Sequence, residues 1–399
     1  MNDRDLRIAV VGGGLGGVAA AAAMVRRGLD VTVLESSDSL REDGAGMHLG
    51  PNGTRLLRRL GLSDALAREA VRPGALEVRT SDGGLLVRQP MGEVWEERYG
   101  APYLTVRRGA LHRMIAGLVP RHRILTGRRL VRHEEGAAGV RLWFADGSQA
   151  RADVLIGADG ARSRVRRAIA GADRAVHSGH SAFRGIVEAR LVPALSARQM
   201  YMFVGPAARL LCYPIDGGRH FTYVVVVPSA EPLEESWTSV AEPADLTRAL
   251  AGWGSAAARQ VVAAASDIRR WGLYDREPLE RWSSGRTTLL GDAAHPMLPH
   301  HGQGANQAVE DAVTLAVLLD GAPRDADGIA EALRLYEETR RPHTARVQLG
   351  SREGRMRPEP GGNPLDRMVK DTEWIHRHDA EAEAVRVADH SLPAFIGGK

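Results

Sequence analysis

The chain has 399 residues, 44% of them apolar and 26% charged, with a formal charge of +4. That length exceeds what one hydrophobic core organises, so two packed lobes or a domain with an insertion are expected. Arg and Asp punctuate every apolar run, which argues against a membrane span. The start, MNDRDLRIAVV, lacks the apolar core of a signal peptide, and the cytoplasm is the expected location. The single cysteine, Cys212, leaves no intrachain disulfide and no thiolate metal cluster; it reads as a small core residue, and no metal site is expected. Lys370 and Lys399 are the only lysines. The basic character is arginine spread along the chain without interleaved aromatics, so nucleic acid is not an expected partner.

In chain order, IAVVG at 8–12 is an apolar run ending in glycine, an alanine-rich helical stretch follows through Arg27, and Val31 to Glu35 form a second apolar run. Strand, glycine turn, helix and strand make a βαβ unit that opens a doubly wound parallel sheet. Residues 51–70 have helical spacing after a Pro-Asn-Gly start. From about 75 to 150 short alternating strands with turns such as SDGG and ADGS predict hairpins, interrupted by a helix over 109–119. ADVLIGADG at 152–160 is a further buried strand and turn. A strand-rich section from about 177 to 275, ending in a helical stretch over 244–266, predicts an inserted sheet domain. TTLLGDAAHPMLP at 287–299 returns to a strand and Gly-rich turn, followed by helices from Gly304 to about Leu319 and over 327–350. RPEPGGNP at 357–364 reads as a linker before a charged terminal helix.

Gly12, Gly14 and Gly17 satisfy GxGxxG between a strand and a helix, with Leu15 and Gly16 inside the turn. The first glycine permits the tight turn and the second lets the backbone approach a pyrophosphate. The third lets helix and strand pack closely, with phosphate at the helix N-terminus. Glu35, with Ser36 beside it, ends the next strand about 20 residues on, where a carboxylate meets a ribose diol. The acid argues against a 2′-phosphate but does not separate FAD from NAD.

Two further strand-turn-helix stretches separate them: DVLIGADGARSRVRR at 153–167 and LLGDAAHPMLPHHGQGANQAVEDA at 289–312. Over residues 6 to 345 the chain resembles the FAD-dependent aromatic hydroxylases of the para-hydroxybenzoate hydroxylase type, which carry these as DG and GD motifs. The resemblance implies an α/β fold: a Rossmann-like FAD-binding domain with an inserted mainly β substrate domain and C-terminal helices. The expected boundaries are 1–175 and 276–356 for the FAD-binding domain, 176–275 for the substrate domain, and 357–399 for a linker and helix. It further implies that Asp292 holds a ribityl hydroxyl, that Gly304 and Ala305 offer backbone N–H groups to the flavin ring, and that Arg108 reaches FAD. By the same likeness Asp159 ties the FAD-binding and nicotinamide-facing surfaces, and the backbone at Val131 faces the adenine. With one GxGxxG, NADH or NADPH is expected as a transient co-substrate.

Within the family, GAGMHLGPN at 44–52 and MGEVWEERYGAPYLTVRRGALH at 91–112 are most similar to 6-hydroxynicotinate 3-monooxygenases, with salicylate hydroxylases as further kin. That likeness implies His48 and Tyr213 as catalytic and substrate-binding residues and His300 as a substrate neighbour at the flavin edge. Arg209 stands where the nicotinate enzymes have a histidine, and Glu42, beside Arg41, where they have an arginine. Arg209 reads either as a bidentate clamp for a substrate carboxylate or as a surface charge on the sheet domain. The expected activity is hydroxylation of a small hydroxylated aromatic or N-heteroaromatic acid, with or without loss of CO2, using NAD(P)H and O2 through a flavin hydroperoxide. The alternatives are a hydroxylase or epoxidase of a larger natural-product scaffold, an O2-independent flavin reductase, and a cofactor-binding protein without catalysis. The family often forms homodimers, and one is expected here.

Overall fold

The computed structural model describes residues 6–40, 44–229, 239–353 and 372–392. Strands Thr287–Leu289, Val154–Gly157, Arg7–Val11, Asp30–Leu34 and Ile124–Leu125 lie in that order, all parallel. They are short and rich in Val, Ile and Leu, as strands covered on both faces must be. The chain leaves the central Arg7–Val11 strand first to one side and later returns on the other. This switch point puts the Gly12, Ala158 and Leu290 turns on one edge of the sheet.

Helix Leu15–Arg26 covers this sheet with a run of buried alanines, Ala19 to Ala23, whose small side chains allow close packing against helix Gly304–Gly321. Gly304–Gly321 is buried nearly all round, as a central helix must be. It also packs against helices Pro51–Leu57, Ala326–Glu353 and Ala380–Ser391. A three-stranded antiparallel sheet, Gln149–Ala152, Gly139–Phe144 and Leu130–Gly136, flanks this unit.

The second large sheet has seven strands in the order Arg269–Asp275, Val176–Glu188, His220–Pro228, Arg209–Ile215, Gln199–Val204, Ala75–Thr80 and Leu85–Pro90. Its alternating side chains divide the faces. Leu210 and Cys212 join Phe203, Phe221 and Tyr223 beneath helices Pro243–Ala249 and Ala256–Ala264. Tyr213 and Ile215 face the other way, toward Trp95, Tyr99 and the two-stranded ribbon Gly46–Leu49 and Leu104–Arg107.

Sheet membership differs from the expected boundaries at residues 75–90. These lie before the expected start of the substrate domain at 176, yet Ala75–Thr80 runs parallel to Gln199–Val204, with Ala75 opposite Gln199. The sheet is therefore assembled from two separate stretches. Alternation within a strand specifies its faces and not its partner, which is why the pairing escapes sequence patterns. The helical stretch expected over 244–266 divides into two helices around Gly252, whose φ is +79°. The helix expected over 51–70 is opened by a wide turn, Arg58–Leu62, in which Gly61 has φ 94°. The linker expected at 357–364 lies outside the described residues. Helix Ala380–Ser391 buries Ala380, Ala384 and Ala388 in the main core. No helix among the described residues is long and apolar enough to cross a membrane.

The central helix carries two fully buried carboxylates, Glu310 and Asp311, both answered by the buried Arg340. Arg340 donates to Asp311 Oδ1 (2.8 Å), Glu310 Oε2 (2.7 Å) and Gln307 Oε1 (2.7 Å). Burial opposes ionisation of Glu310, but Arg340 and His378 outweigh it and hold the carboxyl well below the usual range. Removing one partner of such a pair leaves an uncompensated buried charge. Arg340→Met is therefore expected to destabilise the fold by about 3–5 kcal/mol, read as a lowered urea midpoint.

His378 bridges Glu310 Oε2 (2.7 Å) and Glu383 Oε2 (2.9 Å). Burial lowers its basicity, but these two hydrogen bonds prevail and raise its pKa from 6.5 to about 8. A folded pKa above the unfolded one stabilises fully below pH 6.5, and that contribution is lost as pH rises through about 8. Thermal melts are expected to show this alkaline loss of up to about 2 kcal/mol, and His378→Gln is expected to flatten it.

Candidate active site

Three turns meet at the carboxyl edge of the parallel sheet. Gly12 has φ +106°, and a Cβ there would lie 2.4 Å from the Ala158 carbonyl oxygen, so the GxGxxG and DG turns touch backbone to backbone. A Cβ on Gly17 would lie 1.9 Å from Gly12 O, and one on Gly16 would lie 2.7 Å from Leu290 Cδ2. Around the Cβ position of Gly14, by contrast, nothing lies within 4 Å, and Gly14 caps the Leu15–Arg26 helix without any side-chain hydrogen bond. Three glycines are closed by packing and one faces open space at an uncapped helix N-terminus. That is the arrangement an anionic pyrophosphate requires.

The loop is held from both sides. Glu35 accepts from Gly13 N–H (2.7 Å), Ser37 N–H (2.7 Å) and the Ser36 hydroxyl (3.1 Å), while buried His112 contacts the Gly13 carbonyl (2.7 Å). Burial acts to raise the Glu35 pKa, but the two backbone hydrogen bonds lower it further, so Glu35 is anionic. Asp159 accepts from Arg164 N–H (2.7 Å) and from the Ser163 hydroxyl, which together cap helix Arg164–Ala170. Asp292 is exposed, with Oδ1 3.9 Å from the Cβ position of Gly304. It thus stands over the N-terminus of helix Gly304–Gly321, which also lacks a side-chain cap and begins with Gly304 and Ala305. Val131 is half exposed at a bulge of the Leu130–Gly136 strand. Arg108 opens helix Arg108–Ala116, its N–H donates to Ala45 O (3.0 Å), and its side chain packs over Gly44.

His48 sits on the Gly46–Leu49 strand, which is pressed between the seven-stranded sheet and the Gly302 turn. Cβ positions on Gly46 would lie 2.5 Å from Thr222 Cγ2 and 2.8 Å from Tyr213 Cε2, and one on Gly302 would lie 3.1 Å from His48 Nδ1. Tyr213 meets the His48 ring edge-on at 4.2 Å, and the Tyr103 hydroxyl is 2.8 Å from His48 Nδ1. Enclosure drives the His48 pKa down to about 4 and raises those of Tyr103 and Tyr213. The cluster is therefore neutral across the ordinary assay range.

Arg209 lies on the same sheet face as Tyr213 but four residues away, about 13 Å along the strand. Arg184 is half-buried on that face, its guanidinium 4.9 Å from the Trp271 ring and near enough to Arg108 and Tyr213 to feel both. His300 lies in the Pro299–His301 turn before Gly302. Arg41 and Glu42 lie outside the described residues. Sequence patterns alone did not single out Tyr103, Arg184 or His112. His112 lies four residues after Arg108 on a helix, where a lone histidine in an apolar stretch signals core packing, and only the contact with Gly13 gives it a task.

Glu310, His343 and His378 bring ligand-type atoms within 4.8 Å of one another. The two imidazoles stack at 3.9 Å and 26°, however, so their in-plane lone pairs run side by side instead of converging. Arg340 already answers Glu310.

The chain matches the FAD binding domain family over residues 5–350. It is 44% identical over 356 residues to a 3-amino-4-hydroxybenzoate 2-monooxygenase of Streptomyces cremeus, covering 88% of this chain and 87% of the relative. It is 36% identical over 381 residues to a 6-hydroxynicotinate 3-monooxygenase of Bordetella bronchiseptica, covering 94% and 96%. The solved structure of Klebsiella pneumoniae HpxO complexed with FAD and uric acid superposes with a TM-score of 0.80 at 29% identity, covering 97% of each chain. For the cradle, Gly17→Ala is expected to yield protein that loses its yellow flavin absorbance on gel filtration. Full retention of flavin would contradict the role given to the turn.

Proposed function

Because the chain belongs to the FAD binding domain family of flavin-dependent aromatic monooxygenases, we propose that its substrate is a small amino- or hydroxy-substituted benzoate. A hydroxynicotinate is the second choice, given the lower identity to that relative. The balanced reaction puts one oxygen atom of O2 on a ring carbon and reduces the other to water; at a carbon bearing hydrogen the C–H proton is lost, and at a carbon bearing the carboxylate the C–C bond breaks and CO2 leaves. The two electrons come from NAD(P)H, which binds transiently.

The observation that carries this reading is the His48–Tyr103–Tyr213 cluster beside the start of helix Gly304–Gly321. Bound FAD, once reduced, supplies the activation of O2. In this proposal Gly12, Gly14, Leu15, Gly16 and Gly17 hold the pyrophosphate, Glu35 and Ser36 the ribose end, and Val131 the adenine. Asp292, Gly304, Ala305 and Arg108 serve the flavin end, and Asp159 rigidifies the turn that abuts Gly12. The protein's own residues orient the ring and exclude water. His48 with Nδ1–H directed at Tyr103 presents the Nε2 lone pair to a ring hydroxyl or amine. An anion forming there would raise the basicity of the imidazole by charge attraction. Tyr213 closes the ring's edge, and His300 approaches it from the Pro299–His301 turn. Arg184 and Arg209 supply the positive field for a carboxylate, Arg184 from closer to Tyr213.

Oxygen uptake and NAD(P)H oxidation are expected to rise with 3-amino-4-hydroxybenzoate, 3-hydroxybenzoate or 6-hydroxynicotinate, giving a product with one added oxygen atom and, where the attacked carbon bears the carboxylate, release of CO2. Silence with all of them would favour a larger scaffold, and turnover that persists without air would favour a reductase. His48→Gln is expected to keep FAD and lower hydroxylation by about 100-fold or more.

A further inference from the structure

The described C-terminal residues 372–392 lie beyond the stretch matched by the family, which ends at residue 350. They nevertheless reach the candidate site. His376 is 5% exposed, and its ring packs against Trp95 (5.0 Å), Tyr99 (5.5 Å) and Tyr103 (6.3 Å). Trp95 in turn meets Tyr103 edge-on at 5.3 Å. His376 Nδ1 lies 3.1 Å from the Cβ position of Gly50, two residues after His48, so the imidazole rests directly on the backbone of that segment. Nδ1 is buried with no hydrogen-bond partner among the described residues.

The placement of His376 is enforced on the side of the following helix. His378 is held between Glu310 and Glu383, and its carbonyl accepts from Arg55 Nη1 (2.7 Å). Asp379 accepts from Ala382 N–H (3.2 Å) at the start of helix Ala380–Ser391 and pairs with Arg59 (2.7 Å). Glu310 belongs to the helix that begins at Gly304. One rigid element therefore both reaches the flavin site at its N-terminus and anchors the C-terminal segment.

We propose that the C-terminal segment is a working part of the substrate site, with His376 a positioning residue that holds Tyr103, and through it His48, in the orientation the substrate meets. This rests on the hydroxylase reading above. Tyr103 is confined by Trp95 and His376 on one side and is tied to His48 on the other. Removing the His376 ring frees it to turn away from Nδ1, and misplacements of about 1 Å at such a site cost up to about 100-fold in rate.

The test uses full-length, FAD-loaded His376→Ala and His376→Leu, with His376→Phe as the space-filling rescue and Tyr103→Phe as the reference. Expected for Ala and Leu are unchanged flavin content, a KM for the aromatic acid raised about 10-fold and a shift from hydroxylated product toward peroxide. His376→Phe is expected to restore both. Nitrogen NMR of the His48 side chain is expected to show Nδ1 losing its Tyr103 partner in His376→Ala as it does in Tyr103→Phe. The double variant is expected to be no worse than Tyr103→Phe alone. Wild-type KM, coupling and His48 resonances in a folded His376→Ala or His376→Leu would overturn the proposal, as would additive effects in the double variant. A wild-type enzyme that hydroxylates none of the acids, yet shows the same His48 change on His376→Ala, would overturn the substrate reading and leave the positioning geometry standing.

Discussion

Two adjacent carboxylates in the middle of a buried helix, Glu310 and Asp311, hold together the segments on which the site depends. Asp311 accepts from Gly291 N–H (3.0 Å) and contacts His295 (2.6 Å), which sets the GD turn that carries Asp292. Glu310 accepts from Asn52 (2.5 Å), just beyond the His48 strand, and from His378 in the C-terminal segment. Arg340 supplies the charge that makes both carboxylates tolerable inside the protein. Burying an ion pair is weak evidence for stability in itself, since apolar packing often does as well. What this cluster provides is registration: helices distant in sequence are located by short, directional bonds at one point.

From that anchor two environments follow. At the sheet edge, open backbone N–H groups and two uncapped helix N-termini favour a phosphate-bearing ligand. Across the ribbon, His48, Tyr103 and Tyr213 are held neutral by their enclosure. The first environment recognises a cofactor by charge and backbone geometry, which is the same for every substrate. The second is an enclosed cluster of rings with a few polar atoms, the kind of lining that selects a small molecule by shape. The arginines at 184 and 209 lie on the sheet that forms the wall of this second environment, apart from the cradle.

The Gly46–Leu49 strand is the junction between them. Its glycine at 46 lets it lie on Thr222 and Tyr213, Gly50 admits Asn52 and His376 against the backbone, and Gly302 presses on His48 from the side of the Pro299–His301 turn. Arg107, at the end of the partner strand, pairs with Asp216, whose φ of +55° is the one positive value among described non-glycine residues. A strand enclosed on this many sides has little freedom to shift, and His48 is held in one place by it.

The sequence by itself determined the cradle. GxGxxG, the acid at the end of the next strand and the two Asp-containing turns are local signals, because a tight turn, a close backbone approach and an open helix N-terminus each impose a residue type at a fixed spacing. His48 and Tyr213 were legible only through resemblance, since a lone histidine or tyrosine has no spacing rule. The tertiary structure decided the rest. It brought Tyr103 to His48 across 55 residues, drew Ala75–Thr80 and Leu85–Pro90 into a sheet otherwise built far downstream, and laid His376 from the C-terminal segment against the same ring cluster. Local periodicity records which face of an element is buried. It carries no record of which distant element covers that face, because the choice is made by the summed packing and charge pairing of the whole fold.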